Sequence, residues 1–392
     1  MISGCDNYSM GAAVEMKRRI RLLYVMDYFE TPYGGTEGQL YNLIAGLDRD
    51  LFDAELCVYR HISDYFDKNS FPIPVSNLNI TSFRKFSTYT SLLHLRRYIA
   101  ENHFDIVQIL FNDAALSVPL IGMGLKAKII ATRRDMGFWY TPAKLRLLRM
   151  YVPLTDMYIV NSLTVKQNVM EREGVPEKKI EVIYNAHDMS RFDVAANADF
   201  HREYNIPSGA KIVGIVSNIR PVKRVGDLIR AFPSVLAKIQ DAYLVIIGDP
   251  GIYRQEYEEL VSDLLINDHV RFLGMMDSSE IPSHVKCFHV GVICSESEGL
   301  SNAIIEYMGC GVPVVASDIP SNRELIENDG AGILYPMGDI AGLSQSIIDV
   351  LDHIRHGDCA AGVSRPGLIR RFDEADVKRQ YQEKYMKLVN TY

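Results

Sequence analysis

Two carboxylates, Glu298 and Glu306, stand with seven residues between them in the run Ser295-Glu296-Ser297-Glu298-Gly299-Leu300-Ser301-Asn302-Ala303-Ile304-Ile305-Glu306. The run follows an apolar stretch at 290–294 that fits a buried strand, and it leads into apolar residues at helical spacing. Gly299 lets the backbone turn, so the amides of Leu300, Ser301 and Asn302 are expected to point out of a helix N-terminus. Free N–H groups and the helix dipole favour a phosphate at such a place. An anion site beside glutamates is coherent when the carboxylates accept hydrogen bonds from hydroxyls, which sugars and riboses offer in number. The combination points to a nucleotide sugar, although an isolated pair of this kind would more simply be a capping acid and a surface helix residue.

Such a site needs strands and helices in alternation, and the chain supplies them. Residues 20–26 read as a buried strand, and Leu40, Leu43, Ile44 and Leu47 then fall at helical spacing. Further strands are expected at 54–59, 105–110, 128–132 and 157–161, alternating with helices at 91–102 and 163–173. The rhythm restarts at 211–216, with Val225, Leu228, Ile229, Phe232, Val235, Leu236 and Ile239 on one helical face. It continues through strands at 243–247, 270–272, 290–294, 312–316 and 332–334 and a helix at 341–353. The expected fold class is therefore α/β, with two Rossmann-like domains at 1–195 and 196–392 facing across a cleft. The polar stretch 186–208 is the candidate linker, and a final helix within 373–390 is expected to pack on the body and return to the first domain.

Length and charge agree. A chain of 392 residues suits two domains of roughly 150 to 200 residues each. A net charge of −7, from 42 basic and 49 acidic side chains, argues against nucleic acid as a partner. The six cysteines show neither a zinc spacing nor a disulfide framework, which suits a reducing cytoplasm. No apolar run approaches the roughly 20 residues that span a bilayer, and residues 1–18 are polar, unlike a signal peptide.

The string Glu298-Gly299-Leu300-Ser301-Asn302-Ala303-Ile304-Ile305-Glu306, continued to Ser317 and preceded by Phe272-Leu273-Gly274, resembles the donor-site signature of retaining glycosyltransferases of the family 4 type, with the GT-B fold. Gly34-Gly35-Thr36-Glu37 is similar to that family's Gly-Gly loop after the first strand. Asn185-Ala186-His187-Asp188 with Arg191-Phe192 resembles its Asn-Gly-Val-Asp…Arg-Phe segment, and residues 217–224 its Gly-Arg-Leu…Glu-Lys-Gly loop. The resemblance implies that Glu306 binds the donor ribose, that Glu298 binds the transferred sugar, that Gly34 and Gly35 bring backbone to the phosphates, and that Lys223 neutralises the leaving diphosphate. It also implies a metal-independent retaining reaction with a nucleotide-sugar co-substrate, UDP-sugar favoured over GDP-sugar, in polysaccharide or glycolipid synthesis.

Two positions depart from the family. Its loop arginine falls at Asn218, which carries no charge, so Arg220 is expected to reach the phosphates instead. Its first-domain histidine has no evident counterpart, Gln108 following Val107, and Arg133-Arg134-Asp135 is the best substitute cluster. Asp135 would then touch the donor sugar or the acceptor hydroxyl, the alternative being a structural Arg–Asp pair. Asp48-Arg49-Asp50 reads as a surface turn rather than a metal motif. The stretch 141–151 mixes Lys144, Arg146 and Arg149 with apolar residues, which suits a lipid-linked acceptor and peripheral contact with the inner face of the membrane, the alternative being a half-buried helix with its charges in solvent. Two rivals are a sugar-nucleotide epimerase on the same architecture and a non-catalytic nucleotide- or glycan-binding protein, which Asn218 and the missing histidine would favour.

Overall fold

The computed structural model describes residues 18–32, 35–63, 66, 71–249, 251–329, 332–355 and 365–390. Gly34, most of the first 18 residues, Cys5 and Cys359 lie outside them. Seven strands form the first sheet: β1 (Ile20–Met26), β2 (Phe52–Val58), β3 (Val75–Asn77), β4 (Ile106–Ile109), β5 (Lys128–Arg133), β6 (Met157–Val160) and β7 (Ile180–Val182). Six form the second: β8 (Lys211–Val216), β9 (Ala242–Ile247), β10 (Val270–Gly274), β11 (Val290–Ile293), β12 (Val314–Ser317) and β13 (Gly332–Tyr335). The orders are β3-β2-β1-β4-β5-β6-β7 and β10-β9-β8-β11-β12-β13, and adjacent strands are parallel. Both sheets therefore reverse direction of growth beside their first strand, where ligand crevices form at the carboxyl ends.

Why these strands read as unbroken apolar runs is visible in their packing. Along β1, Leu22, Tyr24 and Met26 enter one core while Leu23 and Val25 enter the core on the opposite face. Side chains alternate across a strand, and helices cover both faces, so both sets must be apolar. The second sheet repeats this, with Val213 and Ile215 in one core and Ile212 in the other. The α/β expectation of two Rossmann-like units holds.

Two features differ from the sequence reading. The edge strands Val75–Asn77 and Ile180–Val182 are only three residues long, too short for a periodic signal. The stretch 186–208 is no free linker: Met189, Phe192, Phe200 and Ile206 are buried in a core of the second sheet. The Phe192 ring packs so closely on Gly309 that a Cβ there would lie 2.5 Å from it.

The chain passes between the two sheets twice, and the crossings are paired. His187 N donates to Phe372 O at 2.7 Å, and Glu374 N donates to His187 O at 3.0 Å. Asp373 then caps the final helix, Glu374–Val389, by accepting from Ala375 N and Asp376 N. Val377, Tyr381 and Tyr385 of that helix join the core of the first sheet, whereas Phe372 just before it packs in the second.

Candidate functional site

The carboxyl ends of β8, β9 and β11 face the start of the helix Gly35–Ala45 and the end of β5 across a cleft with about 380 Å³ of open space. Its walls include Gly35, Thr36, Arg134, Asn161 and Asn185 from one side and Asn218, Lys223, Glu298, Ser301, Asn302 and Glu306 from the other. Glu298 and Glu306 thus come together in one space.

The floor is the turn from β11 into the helix Asn302–Gly309, for which Ser301 stands in the N-cap position without a side-chain cap bond. Glu298 accepts from Lys223 Nζ at 2.5 Å and from Ser295 Oγ at 2.7 Å. That charge-assisted pair fixes both side chains at the cleft. Glu306 is half-buried; desolvation pushes its carboxyl pKa up, while the guanidinium of Arg191 4.0 Å away pulls in the opposite direction. A half-buried carboxylate with spare acceptor capacity suits hydroxyl donors.

Gly299 has a role other than the one the sequence suggests. It is absent from the positive-φ residues, and a Cβ on it would lie 2.1 Å from Arg134 O and 3.2 Å from the Asp135 Cα. It is glycine because the backbone after β5 presses against it from the other domain. Ser162 Oγ holds the same point by donating to Gly299 O at 2.6 Å. Asn302 is tied across as well, its Oδ1 accepting from Asn185 Nδ2 at 2.6 Å. Glu324 completes the seam by accepting from Leu163 N and Thr164 N, both at 2.9 Å, and from Tyr184 OH. With Ser162 Oγ accepting from Val165 N, the first three amides of the helix Leu163–Glu173 are satisfied, two of them by the opposite domain.

Other expected residues lie elsewhere. Arg220 is exposed and does not line the cleft, whereas Asn218 does. Asp135 lines a small adjoining cavity with Thr36, Asn112 and Trp139, its carboxylate accepting from Gly137 N at 2.6 Å. Burial pushes the Asp135 pKa up. A structural Arg–Asp pair does not form among the described residues: Arg133 makes a buried two-point contact with Glu173, at 2.7 and 2.9 Å, and Arg134 donates to Asn185. Asp48-Arg49-Asp50 is a turn in which Asp50 N donates to Asp48 Oδ1. Among the described residues no group of three or more His, Cys, Asp or Glu side chains is arranged to hold a metal ion.

Two family models divide the chain between them: Glycosyltransferase Family 4 matches residues 33–191 and glycosyl transferases group 1 matches residues 197–356. The chain belongs to the family 4 type of GT-B glycosyltransferases. Among curated relatives of this family 4 chain, the N-acetyl-alpha-D-glucosaminyl L-malate synthase of Bacillus anthracis is 29% identical over 214 residues, 54% of each chain. The GDP-mannose-dependent alpha-(1-6)-phosphatidylinositol monomannoside mannosyltransferase of Mycobacterium tuberculosis is 25% identical over 66% of this chain and 70% of its own. The chain thus spans about half the length of the first of these relatives. Among solved structures, Anabaena HepE in complex with UDP has a TM-score of 0.80 at 19% identity, covering 94% of this chain and 100% of its own. A Rickettsia africae glycosyltransferase has a TM-score of 0.82 at 20% identity, covering 96% of this chain and 100% of its own. At that identity the likeness speaks for the fold.

By sequence, Arg134 enters only as part of the cluster Arg133-Arg134-Asp135, and His187 only as part of the Asn185–Asp188 segment. His187 is buried with an unpartnered Nε2 beside Asn302, and burial with the charge of Arg191 pushes its pKa down to about 4. The signal for His187 was its place in the Asn185–Asp188 segment, where the family has an apolar residue.

Proposed function

We propose that this chain transfers a sugar from a nucleotide-sugar donor to a hydroxyl acceptor with retention and without a metal. The observation that carries the reading is the meeting of Glu298, Glu306, Lys223, Asn302 and Gly35 around one cleft between two Rossmann-like domains. In this reading Glu306 binds the ribose hydroxyls, and Glu298 the hydroxyls of the transferred sugar. The amides of Leu300, Ser301 and Asn302, the backbone of Gly35 and the Lys223 ammonium receive the diphosphate. Lys223 leads over Arg220, which lies outside the cleft wall.

As the diphosphate leaves, charge grows on its oxygens and the anomeric carbon becomes cationic. Donors fixed in advance stabilise that state without reorganising, and the Lys223–Glu298 pair provides such fixing. The acceptor hydroxyl attacks on the face from which the diphosphate departs. In this reading Asp135, in the small cavity beside the cleft, serves the donor sugar or the acceptor hydroxyl rather than the diphosphate.

UDP-sugar is the first donor to test: the HepE structure holds UDP, whereas the mycobacterial relative is GDP-mannose-dependent. A lipid-linked acceptor at the membrane surface is supported by the helix Pro142–Tyr151. There Leu147 and Met150 are exposed beside Lys144 and Arg146, and Phe138 just before it is 86% exposed. No helix among the described residues is long and apolar enough to cross a membrane.

The test is a thermal-shift series with UDP, GDP, ADP and their sugar conjugates, run on the chain and on Glu306→Ala. Binding to the native state raises apparent stability. A shift with one nucleotide that the variant loses is expected, and no shift with any of them overturns the donor site. Release of nucleoside diphosphate from the conjugate then separates an enzyme from a binding protein.

A further inference from the structure

We propose that Arg134 is a receptor for an anionic oxygen of the bound substrate, either a phosphate of the donor or an anionic group held beside it. The inference rests on the donor-cleft reading above. Arg134 follows β5 and lines the cleft from the first domain, facing Ser301 and Asn302. Its guanidinium donates to Asn185 Oδ1, and it lines a second, small cavity together with Tyr381 of the final helix. Both of these residues are neutral, and among the described residues Arg134 makes no ion pair.

The other cations around the cleft have carboxylates. Lys223 has Glu298 at 2.5 Å, and Arg191 has Glu306 at 4.0 Å. Arg133, the preceding residue, has Glu173. Consecutive side chains at a strand end point to opposite faces, so Arg133 is spent in the core while Arg134 is delivered to the cleft. Asp135, the nearest carboxylate in sequence, accepts instead from Gly137 N.

A guanidinium does not shed its proton to escape such a place, so its charge persists. A charge walled by neutral groups is poorly stabilised until an anion arrives. The surroundings hold the side chain ready for one. Asn185 binds Arg134 and also Asn302 of the opposite domain, and the neutral Tyr381 of the final helix lies beside Arg134. The planar fork then meets a phosphate or carboxylate at two points.

The full chain and Arg134→Met, Arg134→Lys and Tyr381→Phe would be titrated calorimetrically with UDP and with GDP. The chains saturated with the tighter nucleotide would then be titrated with inorganic phosphate and with malonate. We expect Arg134→Met to weaken at least one of these anions tenfold or more, with Arg134→Lys and Tyr381→Phe losing less. A loss confined to the nucleotide assigns Arg134 to the diphosphate. A loss confined to phosphate or malonate assigns it to a second anion on the sugar or the acceptor. Affinities within twofold for every probe and variant overturn the proposal and leave the donor cleft standing. Failure of the unmodified chain to bind either nucleotide overturns both.

Discussion

Replacing Gly299 by alanine has a sign that sequence rules get wrong. Gly299 is not in the left-handed region, so alanine should stabilise by about 0.4–1 kcal/mol through the unfolded chain. The new Cβ, however, would sit 2.1 Å from Arg134 O and 2.8 Å from its carbonyl carbon, both backbone atoms of the opposite domain. No rotamer relieves that contact, so the two domains must separate locally by roughly 1 Å to restore a normal carbon–oxygen distance. Overpacking of this kind costs about 1–3 kcal/mol. The separation also strains the Ser162 bond to Gly299 O and the Asn185 bond to Asn302. Net of the alanine gain, roughly 1–2 kcal/mol should be lost, a factor of about 5–30 against the closed arrangement. Small-angle scattering would report a larger radius of gyration for Gly299→Ala, and calorimetry a matching loss of nucleotide affinity. An unchanged radius and affinity, with an unchanged or raised melting temperature, would refute the reasoning.

Glu324→Ala removes the acceptor for two amides at the start of the helix Leu163–Glu173, and should cost about 1–2 kcal/mol, measurable as a lower melting temperature. Glu324→Gln, which retains an acceptor oxygen, should recover part of that loss. The pH dependence of stability contains two opposed contributions. His187 has a pKa of about 4 when folded against 6.5 ordinarily, so the unfolded chain binds more protons between these values, and His187 removes stability as pH falls through that window. Asp27, buried while accepting from Asn112 N, Asp113 N and Ala114 N, is pushed up to about 6 from 3.8, so the folded chain binds more protons there and Asp27 adds stability as pH falls. Urea unfolding from pH 7 to 4.5 should therefore steepen in Asp27→Asn, and an identical slope in both chains would count against the assignment.

The parts that local chemistry dictates were legible. Apolar runs buried on both faces betray parallel strands, and helical faces such as that of Val225–Leu236 betray the elements between them. Glu298 and Glu306 could be paired from spacing because a turn and a short helix connect them, and local geometry sets their separation. The strands Val75–Asn77 and Ile180–Val182 were not legible, since three residues show no alternation and are held by the neighbouring strand. Burial of Met189, Phe192, Phe200 and Ile206 within 186–208 was equally hidden, because they answer to a surface formed by distant helices and strands rather than to a period of their own.

What the sequence by itself determined is the alternation of strands and helices, the doubling of the fold, and the presence of a carboxylate pair at a helix start. Each follows from interactions within a few turns of chain. Only the tertiary structure decided that Gly299 yields to the Arg134 backbone, that Glu324 caps a helix of the opposite domain, and that Arg133 is neutralised while Arg134 is not. These depend on contacts between residues far apart in the chain, where nothing in local residue type records which backbone, carboxylate or hydroxyl will arrive.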